Sequence, residues 1–347
     1  MSVKISIIIP CRNERPHIAD FLDSLLSQEL DAGWQTEVLV ADGMSEDGTR
    51  EILAEYRRRA PQVHLIDNPG RIVSTGLNAA IRAASGDVII RMDAHTTYGQ
   101  DYIRQCVQVL QESGADNVGG PWVAKGRGPI GEAIAAAFRS PFCAGRGKSH
   151  DPSYEGEVDT VYLGCWFRSV FEKAGLFDTD LVRNQDDEFN FRLRRLGGLV
   201  WQSPRICSSY TPRASLSALF RQYLQYGFWR VAVIRKHRAL AAWRQAVPAL
   251  FLSSLLVLAL LSVMSGLIGL TNLSLLATTF LAVELFLYAL LCIAAALPFV
   301  RSLDPLVLFL LPGVIAVYHV AYGLGFLIGV LQLHHRASAR LFTQLTR

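Results

Sequence analysis

From Val247 to Leu333 the chain is almost entirely Leu, Ala, Val, Ile, Phe and Gly. Apolar spans can be marked within it at roughly Val247 to Leu270, Leu275 to Val300 and Leu306 to Leu333. About 20 residues suffice to cross the hydrocarbon core of a bilayer, so each span is long enough. Runs this long and this closely spaced do not suit the core helices of a soluble protein. Pro312-Gly313 in the third leaves two possibilities, a crossing or a re-entrant segment. Whatever precedes Val247 is therefore expected to work at a membrane.

The upstream half has a different rhythm. Lys4 to Ile9 is dominated by the β-branched, apolar Ile5, Ile7, Ile8 and Ile9, which suits a buried parallel strand. Ile18, Phe21, Leu22, Leu25 and Leu26 then fall at helical spacing. Further strands are expected at Glu37 to Ala41, Val63 to Ile66 and Asp87 to Met92, with helices at Thr49 to Ala60 and Ser74 to Ser85. Alternation of this kind predicts a doubly wound α/β sheet, parallel and covered on both faces. Carboxylates close the strands: Asp42 after the second and Asp93 after the fourth. The carboxyl edge of such a sheet is where nucleotides and metals are held.

After Gly114 the alternation loosens. Gly126 to Gly156 is rich in Gly, Pro and Ser, with one short helix expected around Glu132 to Phe138. A loop of that length is usually functional or mobile. Leu216, Phe220, Tyr223, Leu224, Phe228, Val231 and Ile234 form a single stripe, with arginines elsewhere. That pattern predicts a basic amphipathic helix lying in the membrane interface.

The net charge of +4 says little, but its placement says more. Arg221, Arg230, Arg235, Lys236, Arg238 and Arg244 gather just before the first apolar span. Basic residues there point to anionic lipid on the cytoplasmic face. No aromatic-rich sheet motif or recognition-helix pattern accompanies them, so nucleic acid is not an expected partner. The six cysteines stand far apart with no C-x-x-C pair, which argues against zinc and against a disulfide framework. The first apolar run is too short for a signal peptide.

Two phosphate-binding patterns fail on inspection. Gly147-Lys148-Ser149 ends like a P-loop, but Phe142 stands where the opening glycine belongs. Gly126 to Gly131 satisfies G-x-G-x-x-G outside the first βα unit, with Pro129 inside it. Asp93-Ala94-His95 offers a carboxylate and an imidazole that can turn toward one ion at a strand end. The bland alternative is a polar turn. In Asp186-Asp187-Glu188, adjacent acids raise one another's pKa, which helps one accept a proton. They could equally complement a helix dipole.

Together these segments resemble a known family. Ser6 to Glu14 (S-I-I-I-P-C-R-N-E) is similar to the opening strand and P-x-x-N-E turn of family 2 glycosyltransferases, which have the GT-A fold. Val40 to Thr49 is similar to their V-x-D-G-S-x-D-G-T segment. Asn68-Pro69-Gly70 with Gly76-Leu77-Asn78-Ala79-Ala80 matches N-x-G followed by G-x-N-x-A. Gln185 to Phe189 with Arg192 resembles E-D-x-D/E-L/F-x-x-R. Within the family, the succinoglycan-type (ExoA-like) membrane glucosyltransferases look most similar.

The resemblance implies roles. Pro10 and Glu14 line a nucleoside pocket, Asp42 bonds the base, and Asp93 meets the ribose or diphosphate. Asp93 and His95 hold a divalent metal, Mn²⁺ or Mg²⁺. Asp186 is the base that deprotonates the acceptor. His95 stands where the family usually has a second aspartate, and Gln185 where it has a glutamate. Gln222 to Arg230 only echoes the Q-x-x-R-W motif of processive synthases, so polymer synthesis is not expected.

The implied organisation is a GT-A domain over 1–212, an interfacial helix over 213–245, a membrane region over 246–333 and a basic tail over 334–347. The implied activity is inverting transfer of a hexose, glucose first, from a UDP-sugar to a polyprenyl-diphosphate-linked oligosaccharide. The setting is a multi-pass protein of the inner (plasma) membrane with a cytoplasmic catalytic domain. Two rivals stay open. One is a polyprenyl-phosphate sugar transferase, whose acceptor is already ionised and needs no base. The other is a nucleotide-sensing transport subunit, which the intramembrane Glu284 and His319 would serve.

Overall fold

The computed structural model describes residues 2–144, 147–239, 243–332 and 342. The chain divides into two compact units, Met1–Ala124 with Gly147–Thr211, and Lys125–Arg146 with Pro212–Arg347.

The first unit is built on a mixed sheet. Its strands are β1 (Lys4–Cys11), β2 (Gln35–Asp42), β3 (Val63–Asp67), β4 (Val88–Arg91), β6 (Asn117–Gly120), β7 (Gly156–Glu157), β8 (Tyr162–Phe167) and β9 (Val200–Gln202). Between β4 and β6 lies β5 (Thr96–Tyr98), which pairs antiparallel with β10 (Ser208–Tyr210) in a separate ribbon. The main sheet runs β3-β2-β1-β4-β8-β6-β9-β7.

The expectation of a parallel sheet holds for β1 to β4 and fails beyond them. β8 runs antiparallel to both β4 and β6, and β7 runs antiparallel to β9. The reason lies in the connections. Helices Ile18–Leu26, Thr49–Arg59 and Val73–Ala83 provide crossovers between the first strands, and a crossover returns the chain in the same direction. No such regular alternation governs the strands after Gly114.

Both faces of the sheet are covered, which explains the consecutive apolar Ile7, Ile8 and Ile9 of β1. Ile5, Ile7 and Ile9 face one layer with Phe21, Leu22, Leu53 and Tyr102. Ile8 faces the other with Leu77, Trp166, Phe171 and Phe189. The strand order reverses direction between β1 and β4, and the carboxyl ends of those two neighbours frame the crevice.

The second unit contains the apolar helices Val247–Leu267, Thr271–Ala296 and Pro305–Gln332. With their flanking turns they are long and apolar enough to cross a membrane, at mean hydropathies of 2.4, 2.4 and 2.0. Their outward side chains remain apolar: Leu256, Phe286 and Phe309 are 57%, 62% and 81% exposed. The third is one continuous helix through Pro312, with no re-entrant break.

The helix Leu216–His237 differs from the one expected. Its buried positions include Leu219, Tyr223, Phe228, Trp229, Val231 and Val233, not the full predicted stripe. They pack on Pro305–Gln332 at backbone distance. A Cβ on Gly227 would overlap the Tyr322 carbonyl, and one on Gly325 the Leu224 carbonyl. Gly325 and Gly329 stand four apart, the small-x-x-x-small spacing that lets helices approach closely in lipid. Helix Gly128–Arg139 belongs with this unit, where Phe138 meets Tyr223 and Tyr318 at 5.9 and 6.3 Å. Residues 125–146, assigned from sequence to the 1–212 domain, group with the apolar helices in the second unit. Of the tail 334–347, everything except Phe342 lies outside the described residues.

The two ionisable residues of the apolar helices, Glu284 and His319, have partners within this unit. Glu284 accepts a hydrogen bond from Ser254, and His319 lies 3.1 Å from the Tyr288 hydroxyl and 3.0 Å from the Phe142 carbonyl. Packing partners of this kind account for both without a transport pathway.

Candidate active site

The turns after β1 and β2 are laced together by their motif side chains. Asn13 N–H donates to Ser45 Oγ at 2.8 Å, and its Oδ1 accepts from Glu46 N–H at 3.0 Å. Glu14 N–H donates to Thr49 Oγ1, and Asp47 accepts from the backbone of Arg15 and Thr49. These residues build the crevice wall, and the exposed backbone of Asn13, at φ 52°, is tolerated because Asn adopts left-handed geometry at low cost.

Pro10, the penultimate residue of β1, is half-buried opposite Ala41 of β2. Glu14 is 3% exposed and points at His95, with Oε1 3.3 Å from Nδ1. Asp42 lies deeper than either. It is 0% exposed and bound to Ser45 N–H at 3.0 Å and to Arg50 Nη1 at 2.7 Å. Arg50 reaches on to Asp67 at 2.7 Å. A base that bonds Asp42 has to displace Arg50 first.

Asp93 follows β4 and is held from two sides. Arg91 Nε and Nη2 each donate to one of its oxygens at 3.0 Å. The Tyr98 hydroxyl accepts from Asp93 N–H at 2.6 Å and donates to the Asp93 carbonyl at 3.1 Å. Burial, and then the Asp93 charge, push the Tyr98 phenol up, so it stays a protonated donor. Sequence reasoning missed Arg91. The signal was a charged residue in a buried apolar strand, two positions before a carboxylate and therefore on its side of the strand.

Beside His95 runs an aromatic wall that the sequence did not announce. Tyr210 stands edge-on to His95 at 6.1 Å, Trp122 lies 5.9 Å from Tyr210, and Trp122 stacks on Tyr162 at 6.2 Å and 17°. Strand ends from distant parts of the chain bring these rings together.

The acidic cluster opens helix Gln185–Arg195 after Asn184, which takes φ 60°. The structure sorts its three acids. Glu188 is 0% exposed and locked by Arg192, Nε to Oε1 at 3.0 Å and Nη2 to Oε2 at 3.1 Å. Arg192 also caps the Leu176 carbonyl at 2.8 Å, so this pair is structural. Asp186 is half-buried and accepts a hydrogen bond from the nearby Asp187 N–H at 3.0 Å. Burial and then Asp187 raise its pKa, while Arg91 opposes them. A carboxylate with a raised pKa is the better proton acceptor. Asn78 ties the preceding loop down through Phe177, with bonds of 2.7 and 2.9 Å.

Among the described residues no cluster of three or more His, Cys, Asp or Glu is arranged to hold a metal. The two expected ligands still suit one. Octahedral Mg²⁺ or Mn²⁺ sites commonly take one or two protein ligands and fill the rest with phosphate oxygens and water. Glu14 at Nδ1 leaves His95 Nε2 as the nitrogen facing a ligand.

The profile of the family described as Glycosyl transferase family 2 matches residues 6–169. The chain is 34% identical over 244 residues to succinoglycan biosynthesis protein ExoA of Rhizobium meliloti (strain 1021), covering 70% of this chain and 73% of that protein. It is 30% identical over 241 residues to the dolichyl N-acetyl-alpha-D-glucosaminyl phosphate 3-beta-D-2,3-diacetamido-2,3-dideoxy-beta-D-glucuronosyltransferase of Methanococcus voltae, covering 67% and 74%. The solved mannosyltransferase PcManGT from Pyrobaculum calidifontis, in complex with GDP-Man and Mn²⁺, shares the fold. It matches 95% of this chain and 88% of its own at 17% identity and a TM-score of 0.58. With motif turns at the predicted strand ends and a relative of that identity spanning more than two thirds of both proteins, the chain belongs to the family 2 glycosyltransferases, sugar-transferring enzymes of the GT-A fold.

Proposed function

We propose that the protein transfers a hexose, with glucose the first candidate, from a UDP-sugar to the hydroxyl of a polyprenyl-diphosphate-linked oligosaccharide in exopolysaccharide synthesis. The observation that carries this reading is the state of Asp186. Arg192 locks Glu188 and not Asp186, and burial makes Asp186 more basic. A hydroxyl acceptor needs such a base, whereas a phosphate acceptor is already an anion. The polyprenyl-phosphate reading is therefore the weaker one.

In the proposed reaction, Asp186 takes the proton as the acceptor oxygen attacks the anomeric carbon. The bond to the UDP oxygen breaks on the opposite side, so an α-linked donor gives a β-linked product. Pro10 and Glu14 line the nucleoside side of the crevice, and Asp42 meets the base once Arg50 swings aside. Asp93 and His95 would hold a divalent cation, Mn²⁺ or Mg²⁺, which offsets the charge gathering on the leaving diphosphate. Trp122 and Tyr162 offer flat apolar faces against which the C–H side of a sugar ring can lie.

The relatives support the acceptor class. The name of the archaeal protein gives it a dolichyl-linked sugar phosphate as acceptor and a 3-β linkage. The rhizobial protein takes part in succinoglycan synthesis. The solved relative holds GDP-Man and Mn²⁺. The three apolar helices suit a multi-pass inner-membrane protein whose catalytic unit faces the cytoplasm, where nucleotide sugars are made. Arg235, Lys236 and Arg238 would then meet anionic lipid.

A donor screen tests the proposal. Membranes carrying the protein are incubated with labelled UDP-glucose, UDP-galactose and other UDP-sugars, and the lipid extract is counted. Label in a lipid-linked oligosaccharide, released by mild acid, is expected from one donor. No transfer to lipid from any UDP-sugar would reject the proposed donor and acceptor.

A further inference from the structure

The third apolar helix, Pro305–Gln332, does not follow the other two. Val247–Leu267 and Thr271–Ala296 pair as an antiparallel hairpin: Phe251 stacks on Tyr288 at 4.5 Å, Ser254 bonds Glu284, and Ser262 meets Thr278 at 2.6 Å. At 1.5 Å per residue these helices are about 31 and 39 Å long, enough to cross a bilayer core of about 30 Å. The hairpin closes near Gly269 and opens beyond Phe251 and Tyr288. Pro305–Gln332 starts soon after the open end, so a third crossing would run down beside the hairpin toward Gly269. Its contacts lie elsewhere. His319 is 3.1 Å from the Tyr288 hydroxyl, and a Cβ on Gly323 would overlap the Pro248 carbonyl. About 27 Å of helix separates Gly323 from Pro305, yet Gly323 is level with the first turn of the hairpin. The step of about 6 Å from His319 to Gly323 makes no advance toward Gly269.

The far end of the helix is no deeper. Arg235 Nη2 donates to the Val330 carbonyl at 3.3 Å, and Lys236, His237 and Arg238 follow it. Basic side chains are costly in hydrocarbon, so this end belongs to the polar layer. Phe342 then stacks on Phe228 at 4.1 Å, and its carbonyl accepts from Trp229 Nε1 at 3.4 Å. The chain has thus come back to helix Leu216–His237, from which it entered the hairpin. Along Pro305–Gln332, Val307, Leu311, Val314, Ile315 and Ala321 are buried, with helices Gly128–Arg139 and Leu216–His237 among their cover. Leu306, Phe309, Leu324 and Leu331 are exposed. At 3.6 residues per turn those four fall within about 60° of one another, on a single apolar face.

We propose that Pro305–Gln332 lies in the membrane interface across the mouth of the hairpin, so that the chain crosses the bilayer twice and ends on the side from which it entered. Its partner is the lipid leaflet on that side, into which Leu306, Phe309, Leu324 and Leu331 dip. The distribution of charge agrees. Arg301, Arg336, Arg340 and Arg347 then share a side with Arg235, Lys236 and Arg238, as the excess of basic residues on the cytoplasmic side requires. Three crossings would send Arg336, Arg340 and Arg347 to the opposite side. This placement does not depend on which sugar is transferred or to what.

Two measurements on the full chain test this. In the first, an epitope tag is placed at each terminus, and protease is added outside sealed membrane vesicles of one orientation. Two crossings predict that both tags are digested, or that both survive until detergent opens the vesicles. Digestion of one tag alone would overturn the proposal. The second reads depth, because a tail that crossed back would also leave both tags on one side. A spin label is attached at Phe309→Cys, Leu324→Cys or Leu331→Cys in a Cys143→Ser/Cys207→Ser background, the other described cysteines being buried. Phe309 and Leu331 are about 33 Å apart along the helix, so a crossing would carry them toward opposite faces of the bilayer. A helix in the interface keeps all three labels within about 10 Å of the headgroups of one leaflet. Power saturation against oxygen and a water-soluble relaxant gives the depths. A label deeper than about 10 Å, or Phe309 and Leu331 near different leaflets, would overturn the proposal whatever the tags show.

Discussion

His95 Nδ1 lies 3.3 Å from Glu14 Oε1, a contact that joins the turn after β1 to the turn after β4 across the reversal in strand order. A carboxylate behind a histidine fixes which nitrogen faces outward and makes it a better ligand. Glu14→Gln should therefore raise the Mn²⁺ concentration needed for half-maximal activity by about 10–100-fold. His95→Ala should abolish any preference for Mn²⁺ over Mg²⁺, since imidazole suits Mn²⁺ better than it suits Mg²⁺. Metal titrations of the transfer rate check both. Full activity of the unaltered protein in excess chelator would contradict the metal assignment.

Gly325 packs against the Leu224 carbonyl with no room for a side chain. Gly325→Val forces helix Leu216–His237 away from Pro305–Gln332. Overpacking of this kind costs about 1–3 kcal/mol, and more where backbone is the obstacle. The expected readout is a lower melting temperature in detergent and faster proteolysis near the helix. Gly313, which has nothing within 4 Å of its Cβ position, serves as the control for valine in the same helix.

Asp186 links pH to both rate and stability. Its carboxyl sits above the usual 3.8, chiefly through burial. A base must be unprotonated, so kcat should fall as pH drops through that raised value. The same raised value makes the charged form a cost to the fold. The stability it contributes is full below the unfolded value and is lost as pH rises through the folded one. Asp186→Asn should thus melt at or above the unaltered protein at pH 7, with the advantage shrinking toward about pH 4. A variant that melts lower at pH 7 would show that the carboxylate stabilises the fold.

How far the sequence could be read depended on how local each signal was. Strands β1 to β4 carry their period and their closing carboxylates within a few residues, so they were legible. So were the apolar helices, whose length alone identifies them. The strands after β4 reverse direction through contacts between distant segments, and nothing local marks that reversal. Helix Gly128–Arg139 was foreseen, but its partners Tyr223 and Tyr318 are far along the chain. The stripe on Leu216–His237 was read as a surface for lipid, while Gly325 and Gly329 held the sign that another helix covers it. At the site, residue types pointed to Glu14, Asp93, His95 and Asp186. They did not show that Arg91 grips Asp93 or that Arg192 removes Glu188 from contention.

The most direct test of Asp186 as the base is a paired measurement on Asp186→Asn: single-turnover transfer to the lipid-linked acceptor, and UDP affinity by calorimetry on the same preparation. General-base catalysis is worth about 10²–10⁴-fold. Transfer should fall by that factor while UDP affinity stays within about threefold, because the base acts on the acceptor and not on the nucleotide. Near-normal transfer by Asp186→Asn would contradict the assignment and return the phosphate-acceptor reaction to first place.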